Sequence, residues 1–291
     1  MAFLKRGNAS IYYEEQGQGD PLIAVHGLIL NTKYWSLTGI ADTLAKSYRV
    51  ISMEMRGHGR TVVDGEPYGF DVDTMGDDII ALADHLKLGR FHLLTHSTGG
   101  MASVRHAMKD SSRFATLILT DTSSFTSVVP GPPENIKKFH DDFAKNFEKF
   151  TWDQIIGSVK IIPNPFFRGI AESEQRDELL SLTREIVELN DRDVVAAFVR
   201  SFYTDPDMRI EELRKISCPV LVIYGDKDDL FMESCKTMAR EIPGAEVIEY
   251  PGIGHMTAIE APRRLASDVI DFLSRHPMSV ERVGAPGKRG S

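Results

Sequence analysis

The stretch Phe91-His92-Leu93-Leu94-Thr95-His96-Ser97-Thr98-Gly99-Gly100-Met101-Ala102-Ser103-Val104-Arg105-His106-Ala107-Met108 decides how this chain is read. Phe91 to Thr95 make a short apolar strand, Met101 to Met108 a helix, and Ser97 to Gly100 must turn between them. Strand, sharp turn and helix is the setting that lifts a serine hydroxyl off a sheet edge. The turn is too tight for ordinary side chains, which suits the small residues around Ser97. Backbone N–H groups gather there at a helix N-terminus, where a developing oxyanion is stabilised. The usual frame is Gly-x-Ser-x-Gly; here it reads Thr95-His96-Ser97-Thr98-Gly99. Thr95 is expected to crowd the turn slightly, although a β-branched residue suits a strand end. His96 is expected to be structural, with its side chain pointing away from Ser97. A serine-glycine run by itself also fits an ordinary turn, so the flanking sequence must supply the rest.

Outward from this turn, short apolar runs alternate with helical patterns. Leu22 to Val25 read as a strand running into His26-Gly27, and Arg49 to Met53 as another, ending at Glu54-Met55-Arg56-Gly57-His58-Gly59-Arg60. Ile79, Leu82, Ala83 and Leu86 keep helical spacing. Ala115 to Thr120 form a further strand that ends at Asp121. Such alternation predicts an α/β protein: a mostly parallel central sheet with helices on both faces. Functional groups then gather at the carboxyl ends of the strands. His26, Glu54, Ser97, Asp121 and Asp228 all fall there.

From residue 126 the rhythm changes. Val128 to Pro133 read as a hinge-like loop, and Glu134 to Glu212 as helical, with Phe139, Phe143 and Phe147 stepping by four, as do Leu182, Ile186 and Asn190. Lys215 to Pro219 return to strand, continuing through Val220 to Tyr224; Glu246 to Tyr250 add another, and a helix follows from Thr257 to Ser274. The predicted division is a core of residues 1–125 and 215–282, an inserted helical cap over 126–214, and a Gly-rich basic tail over 283–291.

Composition narrows the function classes. The chain has 291 residues, 42% hydrophobic and 26% charged, with a net charge of −8. That is ordinary for a globular protein, and the lack of a strongly basic segment speaks against nucleic acid as a partner. Cys218 and Cys235 form no C-x-x-C pair, and no His/Cys cluster has zinc spacing. The first eight residues lack the apolar core of a signal peptide, and no stretch is apolar enough to span a bilayer. A cytoplasmic protein without a membrane partner is expected.

Serine needs a base within hydrogen-bond reach and a carboxylate to orient that base. The run Gly225-Asp226-Lys227-Asp228-Asp229 follows the strongest strand of the second half and offers the acid. Asp228 is the choice, with Asp226 and Asp229 as alternatives, although acidic clusters are also plain turn formers. His255, in Gly254-His255-Met256 between the last strand and the last helix, offers the base. The backbone N–H groups of Leu28 and Thr98 are the candidate oxyanion hole. The His26 side chain is expected to be structural.

Four motifs thus stand in order: His26-Gly27, Arg56-Gly57-His58-Gly59, the turn at Ser97, and the pair Gly225-Asp226-Lys227-Asp228 with Gly254-His255. On these the chain resembles a capped α/β-hydrolase over residues 9–275. Within that superfamily it resembles the branch holding beta-ketoadipate enol-lactonases, small esterases and meta-cleavage product hydrolases. The resemblance implies a triad of Ser97, Asp228 and His255, with no metal or organic cofactor, and a cap that covers the site. Some family members place the acid where Asp121 stands. Glu54 occupies a place that often holds aspartate, and is expected to anchor the Arg56 turn; His58 lies in a loop that often borders the pocket.

The cap's aromatic residues are expected to form mostly its own core, with some facing Ser97. Ile29, Phe125, Phe139, Phe143 and Trp152 are the candidate substrate contacts. An apolar pocket favours a small-molecule hydrophobic ester or lactone. The alternatives on the same fold are carbon–carbon bond hydrolysis of a meta-cleavage type diketone and a cofactor-free oxygenase. The diketone would need a cationic pocket group for its carboxylate, and Arg105 and Arg200 read as solvated or paired instead. Apolar cap surface also suits a homodimer contact.

Overall fold

The computed structural model describes residues 2–162 and 164–278; the tail read over 283–291 lies outside the described residues. Among the described residues nine strands form one sheet: β1 (Ala2–Arg6), β2 (Ala9–Gln16), β3 (Asp20–Val25), β4 (Tyr48–Met53), β5 (Val62–Val63), β6 (Phe91–His96), β7 (Phe114–Thr120), β8 (Val220–Gly225) and β9 (Glu246–Tyr250). Their order is β1-β2-β4-β3-β6-β7-β8-β9, with β5 beside β2. All neighbours from β4 to β9 along this order run parallel, and β2 is antiparallel to β1, β4 and β5. The α/β class expected from the sequence is the observed one.

Burial explains the strand sequences. Every residue of β6, β7 and β8 is buried, as central parallel strands covered on both faces require. The edge strand β9 alternates exposed and half-buried positions before Tyr250. The hairpin β1–β2 turns at Gly7, whose φ of 58° suits glycine.

The helices are α1 (Lys33–Ser36), α2 (Ile40–Leu44), α3 (Val72–His85), α4 (Thr98–Lys109), α5 (Pro133–Lys149), α6 (Trp152–Ser158), α7 (Arg168–Glu172), α8 (Arg176–Val187), α9 (Arg192–Phe202), α10 (Ile210–Leu213), α11 (Met232–Glu241), α12 (Thr257–Glu260) and α13 (Pro262–Arg275). Helices α5 to α10 all lie between β7 and β8 in the chain. Two boundaries differ from expectation. The strand β8 starts at Val220, after Pro219, which has no N–H for the ladder. The last helix is two helices, broken at Ala261 before Pro262, because a residue preceding proline disfavours the helical region.

The position of the site follows from strand order. β3 pairs with β4 on one side and β6 on the other, so the chain winds away from the β3/β6 boundary in both directions. The carboxyl ends of β3 and β6 open a crevice at such a switch point. The register Val25↔Thr95 sets the loop at His26 beside the turn at Ser97.

Candidate active site

Ser97 sits between β6 and α4 with φ 49° and ψ −117°. A non-glycine residue there is strained, and neighbouring bonds hold it in place. Its N–H donates to the Thr120 carbonyl at 3.0 Å, and its carbonyl accepts from Thr122 Oγ1 at 2.6 Å. Glycines supply the close approach: a Cβ on Gly27 would lie 2.8 Å from Ser97 Cβ, and one on Gly99 2.5 Å from the His26 carbonyl. Thr95 does not crowd the turn. It lies in β6 with its hydroxyl donated to the Ile118 carbonyl at 3.0 Å.

The structure brings Ser97, His255 and Asp228 into one line. Ser97 Oγ is 3.0 Å from His255 Nε2, and His255 Nδ1 is 3.0 Å from Asp228 Oδ2. Ser97, His255 and Asp228 are all buried. The other carboxylate oxygen, Asp228 Oδ1, accepts from the N–H groups of Leu230 (3.1 Å) and Phe231 (3.2 Å). Both carboxylate oxygens are therefore acceptors, Nδ1 of His255 carries the proton, and Nε2 presents a lone pair to the serine hydroxyl.

Glu260 holds the histidine loop. Its two carboxylate oxygens accept from the N–H of Gly254 (2.8 Å) and of Met256 (3.0 Å), the residues on either side of His255. Burial raises the Glu260 pKa, and these two bonds oppose the shift. Nothing in the spacing singled Glu260 out; the signal was Pro262, which stops α12 and frees Glu260 to turn back.

The other carboxylates lie elsewhere. Asp226 accepts from Gly252 N–H at 2.7 Å, and Asp229 pairs with Arg168 at 2.7 Å. Asp121 caps Gly225 N–H at 3.1 Å and takes the Thr257 hydroxyl; it is not bonded to His255. Burial, then the charge of Asp228, raise its pKa well above the ordinary carboxylate range.

Each buried histidine has a defined neighbourhood. His26 Nε2 accepts from Met55 N–H (3.2 Å) and Nδ1 donates to the Gly27 carbonyl (2.8 Å), which fastens the loop carrying Leu28. His58 bonds the Arg56 carbonyl at 3.0 Å, and burial pushes it down to about 4. His96 departs from expectation: its ring forms part of the cavity wall beside Ser97. Thr120 Oγ1 spends its proton on the Thr95 carbonyl (3.1 Å), so it accepts from His96 Nδ1 (3.1 Å). Among the described residues, His96 Nε2 is left as a buried acceptor without a partner. Glu54 accepts from Arg60 N–H (2.5 Å) and Thr32 Oγ1 (3.0 Å), so it ties the turn at Arg60; Arg56 is held instead by Asp78 at 2.6 Å.

Among the described residues, the N–H groups of Leu28 and Thr98 donate to no protein acceptor. Thr98 opens α4, so its N–H is one of the unpaired donors of a helix N-terminus.

Two apolar lobes meet above Ser97. The larger, about 430 Å³, runs under α5 and α6, past Phe147, Ile155 and Phe167. The smaller, about 290 Å³, is walled by Met101, Tyr203, Leu230 and Phe231. Leu28, Phe143 and Phe166 line both. Of the candidate contacts, Ile29 lines the larger lobe, Phe143 both, and Phe139 the smaller lobe at its exposed lip. Trp152 and Phe125 are corrected. Trp152 is buried behind Phe147, with its indole N–H donated to the Asn190 carbonyl at 3.0 Å. Phe125 packs against Phe231, 6.1 Å between ring centres. Neither belongs to the wall of either lobe.

Among the described residues, no Lys, Arg, Asp or Glu lines either lobe. Arg105 is buried on the carbonyls of Ser124 and Asp207, and Arg200 pairs with Glu148. No helix among the described residues is long and apolar enough to cross a membrane, and they contain no group of three or more His, Cys, Asp or Glu placed to hold a metal ion.

Residues 20–262 match the family model described as alpha/beta hydrolase fold. A Pseudomonas putida protein, the dihydrolipoyllysine-residue acetyltransferase component of an acetoin cleaving system, is 28% identical over 91% of this chain; the chain spans 66% of that protein's length. A non-heme haloperoxidase of Rhodococcus erythropolis is 26% identical, over 90% of this chain and 95% of its own. A 2-hydroxy-6-oxononadienedioate/2-hydroxy-6-oxononatrienedioate hydrolase of Paraburkholderia xenovorans is 25% identical, over 92% of each chain. Among solved structures, a thermophilic esterase of Thermogutta terrifontis superposes with a TM-score of 0.74 at 27% identity, covering 92% of this chain and 95% of its own.

Proposed function

The chain belongs to the alpha/beta hydrolase fold family, and from that premise we propose that it is a serine hydrolase of uncharged, hydrophobic carboxylic esters or lactones. The observation that carries this reading is the line Ser97 Oγ, His255 Nε2, His255 Nδ1, Asp228 Oδ2, at 3.0 Å for each contact, beneath two lobes lined without formal charge.

Ser97 Oγ attacks the carbonyl carbon while His255 Nε2 takes the hydroxyl proton. Asp228 keeps Nδ1 protonated and stabilises the imidazolium. The carbonyl oxygen becomes an oxyanion between the N–H groups of Leu28 and Thr98, where fixed donors are already aimed and α4 contributes its positive end. The tetrahedral intermediate collapses, His255 returns its proton to the leaving alkoxide, and an acyl-Ser97 ester remains. A water then gives its proton to His255 and attacks the acyl carbon. Collapse of the second intermediate regenerates Ser97 and releases the acid. In a lactone the leaving alcohol stays tethered to the acyl group, and the steps are otherwise the same.

The wall chemistry bears on substrate class. An anionic dienoate would leave its carboxylate in an apolar lobe without a cation, which is costly. Carbon–carbon cleavage of such a diketone therefore ranks behind ester hydrolysis. The test is a panel of short aryl esters and lactones turned over by wild type and by Ser97→Ala. Activity in the wild type that falls by several orders of magnitude in the variant is expected. Equal rates, or none in either, would overturn the reading and bring oxygen uptake and diketone cleavage forward.

A further inference from the structure

Tyr203 closes α9, and its side chain reaches the turn that carries the nucleophile. Its hydroxyl lies 2.7 Å from Thr98 Oγ1; Thr98 is buried, and Tyr203, half-buried, lines the smaller lobe. Two hydroxyl groups hold two protons, and only one can lie between the two oxygens. Among the described residues neither oxygen has a second hydrogen-bond partner. One O–H is therefore left with no protein acceptor, directly beside Ser97.

The surroundings decide which one it is. Tyr203 lines the smaller lobe and Thr98 does not. With Thr98 donating to Tyr203, the phenolic proton is the one free to point into the cavity. The ring cannot easily turn away: His140 stacks on it at 5.3 Å between ring centres and 18° between planes, and Phe202 meets its edge at 5.1 Å. His140 is itself held by the Ile136 carbonyl at 3.0 Å. Two other oxygens of the lobe are already acceptors: Asn164 Oδ1 accepts from Phe166 N–H at 3.0 Å and Thr126 Oγ1 from Asp205 N–H at 3.0 Å. Burial raises the phenol pKa, so the group acts as a neutral donor. An O–H that faces an apolar lobe without an acceptor is unfavourable, and a ligand oxygen would satisfy it.

We propose that Tyr203 is a specificity-determining residue whose hydroxyl donates to an ether or carbonyl oxygen carried by the substrate close to its scissile ester. The preferred substrates are then oxygen-bearing esters or lactones, not pure hydrocarbon ones. This deepens the ester-hydrolase reading and rests on it.

Matched pairs test it on both sides of the ester: phenyl methoxyacetate against phenyl butanoate, and 2-methoxyethyl benzoate against butyl benzoate. Each pair exchanges one CH2 for oxygen at nearly constant size. Dividing each kcat/KM ratio by the ratio for hydroxide hydrolysis removes intrinsic reactivity. In one pair, Tyr203→Phe is expected to lower the normalised ratio about tenfold while the hydrocarbon member changes little. Ratios unchanged in both pairs, or both members falling together, overturn the proposal. Affinity of the intact esters for Ser97→Ala and for Ser97→Ala/Tyr203→Phe gives the same comparison without turnover. A tenfold loss confined to the oxygen-bearing ester supports the subsite even where the wild type hydrolyses nothing, which would sink only the hydrolase reading. Affinity that is equal, or absent, in both backgrounds while the wild type turns over esters sinks the subsite alone.

Discussion

Asparagine substituted separately at Asp228 and at Asp121 should have opposite consequences, although both carboxylates are fully buried at strand ends. At residue 228 the two backbone donors decide the outcome. Leu230 N–H and Phe231 N–H, at 3.1 and 3.2 Å, require an acceptor at Oδ1. In Asp228→Asn the amide oxygen must face them, so the NH2 group faces His255 Nδ1. His255 then accepts at Nδ1 and carries its proton on Nε2, aimed at Ser97, and can no longer serve as the base. The loss expected is on the order of 10⁴ in kcat, or about 5.5 kcal/mol at roughly 1.4 kcal/mol per decade. At residue 121 the carboxyl already favours its neutral form, because burial and then the charge of Asp228 raise its pKa. An amide there keeps its oxygen on Gly225 N–H and turns its NH2 to the Thr257 hydroxyl, which can accept. Asp121→Asn should therefore keep kcat within about tenfold of wild type. Steady-state kinetics on one aryl ester, with folding checked by circular dichroism, makes the comparison. The reasoning is refuted if Asp121→Asn loses as much kcat as Asp228→Asn, or if Asp228→Asn stays within a hundredfold of wild type.

Three further outcomes follow from the same geometry. His58 titrates at about 4 when folded against 6.5 when unfolded, so between these values the unfolded chain binds the extra proton and stability rises with pH. His58→Gln should remove up to about 1.4 kcal/mol per pH unit from the slope of urea-unfolding free energy between pH 6 and pH 4.5; an unchanged slope would count against a buried neutral imidazole. Glu260→Gln retains one amide oxygen for two N–H donors now met at 2.8 and 3.0 Å, and its NH2 opposes the other. The loop at His255 should shift, kcat should fall about 10- to 100-fold with KM little changed, and the pH–rate profile should move; a change in KM alone would contradict a positioning role. Trp152→Phe removes the 3.0 Å bond to the Asn190 carbonyl, so thermal unfolding should report a loss of about 1–2 kcal/mol with ester kinetics unchanged, whereas an altered substrate profile would return Trp152 to the pocket wall.

What was legible in the sequence was local. The apolar runs of β3, β6, β7 and β8 are continuous because both faces of the sheet are covered, and each ends in a turn residue that reads on its own. Ser97 and Asp228 are legible from those turns, and His255 from the loop that follows β9. The helical insertion was legible as helix but not as wall. Phe139, Phe143 and Phe147 step by four, which places them on one stripe of α5, drifting about 40° per step. The drift separates their fates: Phe139 is 47% exposed at the lip, Phe143 faces both lobes, and Phe147 is buried against Trp152. Periodicity alone cannot say where along such a stripe a cavity begins.

Trp152 and Glu260 show where a closer physical reading of the chain would have reached further. Thr151 and Gln154 form a capping box that starts α6, with the pattern Thr-x-x-Gln visible in the sequence. A helix begun there carries Trp152 in its first turn, and its indole N–H, buried, had to find an acceptor. The Asn190 carbonyl is that acceptor, so the ring braces α6 against the end of α8 and does not face a ligand. At Glu260 the cue is Ala261-Pro262, which ends a helix one turn after it begins. A carboxylate on so short a helix, beside a loop with two free N–H groups, is drawn to them by the same requirement. A Cβ on Gly254 would lie 3.2 Å from Glu260 Oε1 and 2.7 Å from Gly169 N, so the glycine before His255 makes room for α7 and for the carboxylate at once. The Gly-His pair of the sequence is thus half of a device whose other half lies five residues on.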